Sequence, residues 1–224
     1  MKKFEAIIFD MDGTIIDTEH IWKKVTLELI TNRGFEISPE EKKFLIEDLK
    51  GVALSKSCLL IKERWNLKEE VDYLIQEKTT NARNLYAQEV RFINGFQDFH
   101  AITKKFNLPT GLATNASPAI VDITNERLKL HTYFGQHMYN VSHVNYIGKP
   151  NPDIFTYTAK QLNIKPEKCL VIEDSKVGIA GAKAAQMFCI GLNSNNDRDQ
   201  LINADMIVEG YHEIFLTDLL SEIK

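Results

Sequence analysis

Short apolar runs alternate along the chain with longer segments whose apolar residues recur every three or four positions. The runs are Phe4–Phe9, Gly111–Thr114, Met138–Val141, Cys169–Ile172, Phe188–Leu192 and Met206–Val208. Continuous apolar runs of this length read as strands buried on both faces. Between them, Phe96–Phe106 spaces Phe96, Phe99, Ile102 and Phe106 at helical intervals. Pro118–Leu130 follows Ser117, an N-cap residue with Pro at the first helical position. Asp153–Leu162 sets Phe155, Ala159 and Leu162 on one face. Strand and helix in alternation predict an α/β protein, a parallel sheet with crossover helices.

One region breaks the alternation. Residues 18–87 carry helical patterns only. A first helix spans His20 to Arg33 and stops at Gly34. A second begins at Ser38-Pro39 and ends at Gly51. Leu54–Trp65 and Lys68–Tyr86 read as a third and a fourth. About seventy residues of helix exceed a simple crossover. The pattern predicts an inserted helical domain over 18–87, and a core domain formed by 1–17 and 88–224.

Composition narrows the class. The 224 residues are 44% hydrophobic and 26% charged, with a formal charge of −4. That balance gives no electrostatic case for nucleic acid or an anionic membrane. No stretch approaches the ~20 apolar residues of a membrane span, and the N-terminus has no signal-peptide apolar region. A cytoplasmic monomer is expected. Cys58, Cys169 and Cys189 are widely spaced, with no zinc or disulfide pattern. The stretch Asn193–Arg198 reads as a plain polar loop.

Four segments carry candidate chemistry. Asp10-Met11-Asp12-Gly13-Thr14 follows the first run. Residues two apart in an extended chain point to one side, so Asp10 and Asp12 share a small volume. Two close acids call for a metal ion, a shared proton or both, although Asp and Gly are also ordinary turn residues. The segment Gly111–Ser117 offers the Thr114 hydroxyl and the Asn115 backbone before a helix start, an anion cradle or simply a helix cap. In the segment Ile147–Asp153, Lys149 is restrained between Gly148 and Pro150. A fixed ammonium near Asp10 would keep that carboxylate ionised and bind phosphate. The segment Leu170–Gly178 ends its apolar run in Glu173 and Asp174, acids that can be ordinary caps at a helix start and are also suitable oxygen ligands for Mg²⁺. All four lie at the carboxyl ends of expected strands, where open α/β sheets bind ligands.

Taken together, Asp10-Met11-Asp12-Gly13-Thr14, Thr114-Asn115, Lys149-Pro150 and Glu173-Asp174 resemble the four motifs of the haloacid dehalogenase-like superfamily. The helical insert matches its subgroup with a helical cap. The resemblance covers essentially the whole chain. It implies a Rossmann-like core with helices on both faces, a cap covering the site, and a Mg²⁺-dependent phosphatase acting on a small phosphate monoester. Asp10 would be the nucleophile and Asp12 the general acid and base. Thr114, Asn115 and Lys149 would hold the phosphoryl group. Asp10, Asp12, Asp174 and Glu173 would hold the metal. Asp12 separates the chain from the dehalogenase branch and from P-type ATPases, which lack an acid there.

Within the subgroup, Asp17-Thr18-Glu19-His20-Ile21-Trp22 resembles hexitol and 2-deoxyglucose-6-phosphate phosphatases. That implies a place for Trp22 in the substrate pocket. Trp22 also shares an apolar helix face with Val25 and Leu29, a place in the cap's own core. Leu49-Lys50-Gly51-Val52-Ala53 is similar to the cap loop of β-phosphoglucomutases. The Arg that follows there is missing here, and Lys56 is the nearest base. The intact acids and lysine disfavour a non-catalytic phosphate-binding protein. A sugar or polyol phosphatase is therefore expected, with a phosphosugar mutase as the alternative.

Overall fold

The computed structural model describes residues 4–49 and 54–220. It divides into two compact units, one running up to Asp17 and resuming at Arg91, the other spanning Thr18–Val90. In chain order the elements open with β1 (Ala6–Phe9) and β2 (Ile16–Asp17). The helices α1 (Glu19–Thr31), α2 (Pro39–Lys43), α3 (Leu54–Trp65) and α4 (Val71–Glu89) follow. Then come β3 (Arg91–Phe92), α5 (Phe96–Lys105), β4 (Thr110–Ala113), α6 (Pro118–Leu128), α7 (His131–Phe134) and β5 (Met138–Tyr139). The chain closes with α8 (Asp153–Gln161), β6 (Cys169–Glu173), α9 (Lys176–Ala184), β7 (Phe188–Leu192), β8 (Met206–Val208) and α10 (Leu216–Leu220).

Six strands form one sheet in the order β5-β4-β1-β6-β7-β8, every neighbouring pair parallel. The first strand is thus central, and the chain leaves it first toward β4 and later toward β6. Phe9 pairs with Leu112 on one side and Ile172 on the other. This divergence is the topological switch point where such sheets bind ligands. Both faces of β1 are covered, which explains its unbroken apolar sequence. Ile8 and Val171 pack with Ile154, Phe155 and Ile179 of α8 and α9. On the other face, Phe9 meets Phe96, Phe99 and Phe134 edge-on. Burial of a side chain of this size contributes roughly 1.5–3 kcal/mol.

The antiparallel pair β2–β3 was not expected from sequence. Each strand has two residues, too short for a periodic signal. Arg91 Nη2 contacts Asp17 across it at 2.7 Å.

The helical unit has a core of Leu29, Ile30, Leu45, Cys58, Ile61, Trp65, Leu67 and Leu74. Arg33 joins its helices, bonding Glu69 at 2.8 Å and Glu77 at 2.6 Å. The second helix is shorter than expected. A reciprocal cap between Ser38 and Glu41 starts it, and it passes at Phe44 into a wider π-type turn over Phe44–Asp48. The fourth helix starts three residues later than expected and runs to Glu89. Gly51 and most of the Leu49–Ala53 loop lie outside the described residues. Among the described residues no helix is long and apolar enough to cross a membrane.

Candidate active site

The strand β1 ends at Phe9, but its ladder continues one residue further through Asp10 N–H to Ile172 O at 3.0 Å. That bond fixes the Asp10 backbone at the carboxyl edge of the sheet. The chain then turns, with Ile15 and Ile16 both returning amide bonds to Met11 O. Asp12 therefore owes its place to this turn and not to a strand's pleat. Gly13 occupies the left-handed region at φ +82°, and a Cβ there would lie 2.0 Å from Asp174 Oδ2. Only glycine fits both demands.

Lys149 is the hub of the site. Its ammonium is buried and bonds Asp10 Oδ1 and, at 2.9 Å, Glu173 Oε1. It also stands 4.8 Å from the centre of the Phe155 ring, a cation–π contact. Its backbone is held by Asn115, whose Oδ1 accepts from Lys149 N at 2.8 Å and whose Nδ2 donates to Lys149 O at 3.3 Å. Gly148 makes room for this clamp, since a Cβ there would meet Asn115 Oδ1 at 2.6 Å. The Lys149–Pro150 peptide is cis.

The strand β6 delivers the other acids. Glu173 Oε2 accepts from Ser175 N at 2.8 Å and Ser175 Oγ at 2.9 Å, while Oε1 faces Lys149. Both Glu173 oxygens are thus engaged. Ser175 also caps α9, accepting from Gly178 N at 3.1 Å. Asp174 accepts from Thr14 Oγ1 at 3.4 Å and Asn195 Nδ2 at 2.8 Å. One oxygen from each of Asp10, Glu173 and Asp174 falls within a 4.8 Å group.

Charge explains why these groups perturb one another. Burial pushes the Asp10 carboxyl up to about 7. Lys149 pulls it down, while Glu173 and Asp12 add to the rise. Burial, with Glu173 and Asp10 beside it, holds Asp174 well above the usual carboxylate range. Burial opposes the charge on Lys149, but Asp10 and Glu173 outweigh it and hold the ammonium above its usual range. Three clustered acids face one lysine, so negative charge is in excess. Hard oxygen donors with excess negative charge fit a divalent cation such as Mg²⁺.

The sequence-derived residues therefore converge in large part. Asp10, Lys149, Glu173, Asp174 and Asn115 join one network, and the charge of Asp12 acts on Asp10 and Asp174. Thr114 follows β4, buried, with its hydroxyl oxygen accepting from Ala116 N at 3.0 Å. Ser117 gives no side-chain cap to α6. Trp22 and Lys56 belong to the helical unit. Trp22 is half-buried, donates to Tyr86 Oη at 3.2 Å and packs edge-on to its ring. Lys56 is exposed on α3.

Sequence reasoning missed the supports. Gly178 must lack a side chain, because a Cβ would lie 1.6 Å from Glu173 Oε1. Tyr211 donates to Thr14 O at 3.0 Å from far along the chain. The loop read as a plain polar connection holds the site through Ser194 and Asn195. The spacing Glu173-x-Ser175-x-x-Gly178 could have signalled the first; the others left no local trace.

Residues 4–186 match the family model described as haloacid dehalogenase-like hydrolase. The chain is 26% identical to hexitol phosphatase B of Escherichia coli over 226 residues, covering 98% of both chains. It is 28% identical to the β-phosphoglucomutase of Bacillus subtilis over 231 residues, covering 97% of this chain and 94% of that one. A solved haloacid dehalogenase-like protein from Agrobacterium tumefaciens superposes with a TM-score of 0.79 at 27% identity, covering 94% of this chain and 95% of that one.

Proposed function

Since the chain belongs to the haloacid dehalogenase-like hydrolase family, we propose that it is a Mg²⁺-dependent phosphatase of a sugar or polyol phosphate. The observation that carries this reading is the buried Lys149 bridging Asp10 and Glu173 beside Asp174. The similarity to a hexitol phosphatase supports the substrate class.

In this reading Asp10 attacks phosphorus through a carboxylate oxygen. A P–O bond forms to Asp10 and the bond to the sugar oxygen breaks. Asp12 gives its proton to that departing oxygen. Asp12 then takes a proton from water as the water attacks phosphorus, and the acyl-phosphate bond breaks to release phosphate. A carboxylate meets a phosphate dianion only when their repulsion is offset. Lys149 supplies part of that offset, and Thr114 and the Asn115 backbone bind the phosphoryl oxygens. Asp10, the Asp12 carbonyl and Asp174 would hold the cation. Bound there, Mg²⁺ would neutralise phosphoryl charge. Glu173, with both oxygens already engaged, fits the role of lysine partner first and metal ligand second.

We place substrate choice in the helical unit, with Trp22 as a pocket residue and Lys56 as the nearest base after the cap loop. The mutase reading keeps one observation, the 28% identity to a β-phosphoglucomutase. Against it, Ala53, Leu54 and Ser55 stand where a second phosphate would need an Arg.

The discriminating assay is phosphate release with Mg²⁺ from a panel of hexose, hexitol and 2-deoxyglucose 6-phosphates and phosphoglycolate. β-Glucose 1-phosphate is added with and without a bisphosphate primer. Release favouring hexose or hexitol phosphates supports the phosphatase. Primed conversion of β-glucose 1-phosphate without release would replace it with the mutase.

A further inference from the structure

The loop after β7 makes contacts that the chemistry above leaves unused. Asn195 Nδ2 donates to Asp174 Oδ2 at 2.8 Å, and Thr14 holds the other oxygen at 3.4 Å. Next to it, Ser194 Oγ donates to the Gly13 carbonyl at 2.5 Å. The three segments touch. A Cβ on Gly13 would lie 2.0 Å from Asp174 Oδ2 and 3.1 Å from Asn195 Nδ2. The loop is itself anchored to β8, through Asn193 N to Val208 O at 2.8 Å and Asn193 Nδ2 to Glu209 Oε2 at 2.5 Å.

We propose that Asn195 is a positioning residue for a divalent cation, orienting the Asp174 carboxylate, with Ser194 fixing the turn that carries Asp12. The proposal rests on reading Asp174 as a metal ligand.

The physical need is specific. A carboxylate turns easily about its last bond, where the torsion is broad and roughly two-fold. Asp10 and Glu173 stand close by and repel Asp174. Without a restraint, Asp174 would swing away from the donor group. A lysine or arginine could hold it, but would cancel the charge that attracts a cation. The neutral amide of Asn195 sets the plane of the carboxylate and leaves its charge intact. Outer partners of this kind are worth roughly 10–100-fold in metal affinity.

The test is Mn²⁺ binding to the substrate-free, full-length protein, measured by titration calorimetry and by loss of the free-ion electron paramagnetic resonance signal. Asn195→Ala should weaken Mn²⁺ roughly 10-fold or more. Asn195→Leu, which keeps the size and the neutral charge but cannot donate, should weaken it as much. Asn195→Ser, which can still donate, should recover part of the loss. The Mg²⁺ concentration for half-maximal phosphate release should rise in the same order. Asp174→Ala serves as the reference. If it abolishes Mn²⁺ binding while Asn195→Ala binds as tightly as wild type, the positioning role is overturned and the metal site stands. If Asp174→Ala binds Mn²⁺ as wild type does, the reading of Asp174 has failed and the proposal falls with it. A lowered urea midpoint in Asn195→Ala with unchanged affinity would make the contact merely structural and would also overturn it.

Discussion

The Asn115 carboxamide closes a two-bond ring on the Lys149 backbone, accepting from its N–H at 2.8 Å and donating to its carbonyl at 3.3 Å. The loop that follows β4 thereby fixes a lysine 34 positions later, whose ammonium meets Asp10 and Glu173. Asn115→Ala removes both bonds and no charge. Displacement of a catalytic group by about 1 Å can cost roughly 100-fold in rate. Turnover should fall about 10–100-fold with cooperative unfolding preserved, as read by steady-state phosphate release and urea denaturation. An unchanged kcat would mean that the rest of the loop fixes Lys149 without help.

Gly178 and Glu173 are coupled by space. A methyl group at 178 would overlap the Glu173 carboxylate, 1.6 Å from Oε1, and Ser175 and Lys149 hold that carboxylate in place. Gly178→Ala should destabilise the protein by about 1–3 kcal/mol, the usual range for overpacking. A urea midpoint equal to wild type would show that Glu173 has another place to go.

Buried His100 lies 3.1 Å from Thr110 Oγ1, among the rings of Phe9, Phe96, Tyr133 and Phe134. Burial, with Lys104 nearby, lowers its pKa from 6.5 to about 4, against a backbone hydrogen bond to Tyr133. The unfolded chain takes up this proton near 6.5, and the folded chain refuses it until about 4. The folded state binds fewer protons in that window, so this group's contribution to stability falls as pH drops through it. Carboxyls such as Asp10, held up to about 7, act in the opposite direction, so the effect is read by difference. Urea midpoints of wild type and His100→Phe should diverge between pH 6.5 and 4, with wild type losing more. Parallel curves would assign the proton elsewhere.

Removal of divalent cations should silence the enzyme without unfolding it. Lys149 offsets part of the negative charge at the site, but Asp10, Glu173 and Asp174 together exceed it. Chelation should therefore abolish phosphate release, and added Mg²⁺ should restore it. Activity that survives exhaustive chelation would remove the cation from the account.

Much of this architecture was legible in the chain. The buried strands could be read because apolar runs such as Phe4–Phe9 need no partner to be recognised. Asp10, Glu173 and Asp174 could be read because each follows such a run, and Lys149 because Gly148 and Pro150 flank it. The supports could not. Asn195 and Ser194 look like any polar loop, and only the strand order that sets β7 beside β6 makes them neighbours of Asp174 and Gly13. Tyr211 reaches Thr14 across 197 positions, a contact with no local pattern. The pair β2–β3 is too short to have a period. Sequence patterns recorded the candidate acids and lysine, and the tertiary fold supplied what holds them.

The most direct test compares wild type with Asp10→Asn for Mg²⁺-dependent phosphate release from a hexitol phosphate. Acid-quenched samples with labelled phosphate are examined for label on the protein. Asp10→Asn keeps the size of the side chain and its place just after β1 while removing the attacking charge. Wild type should turn over with acid-stable, hydroxylamine-labile label on Asp10, and the variant should show neither release nor label. Turnover by Asp10→Asn at a rate near wild type would contradict this.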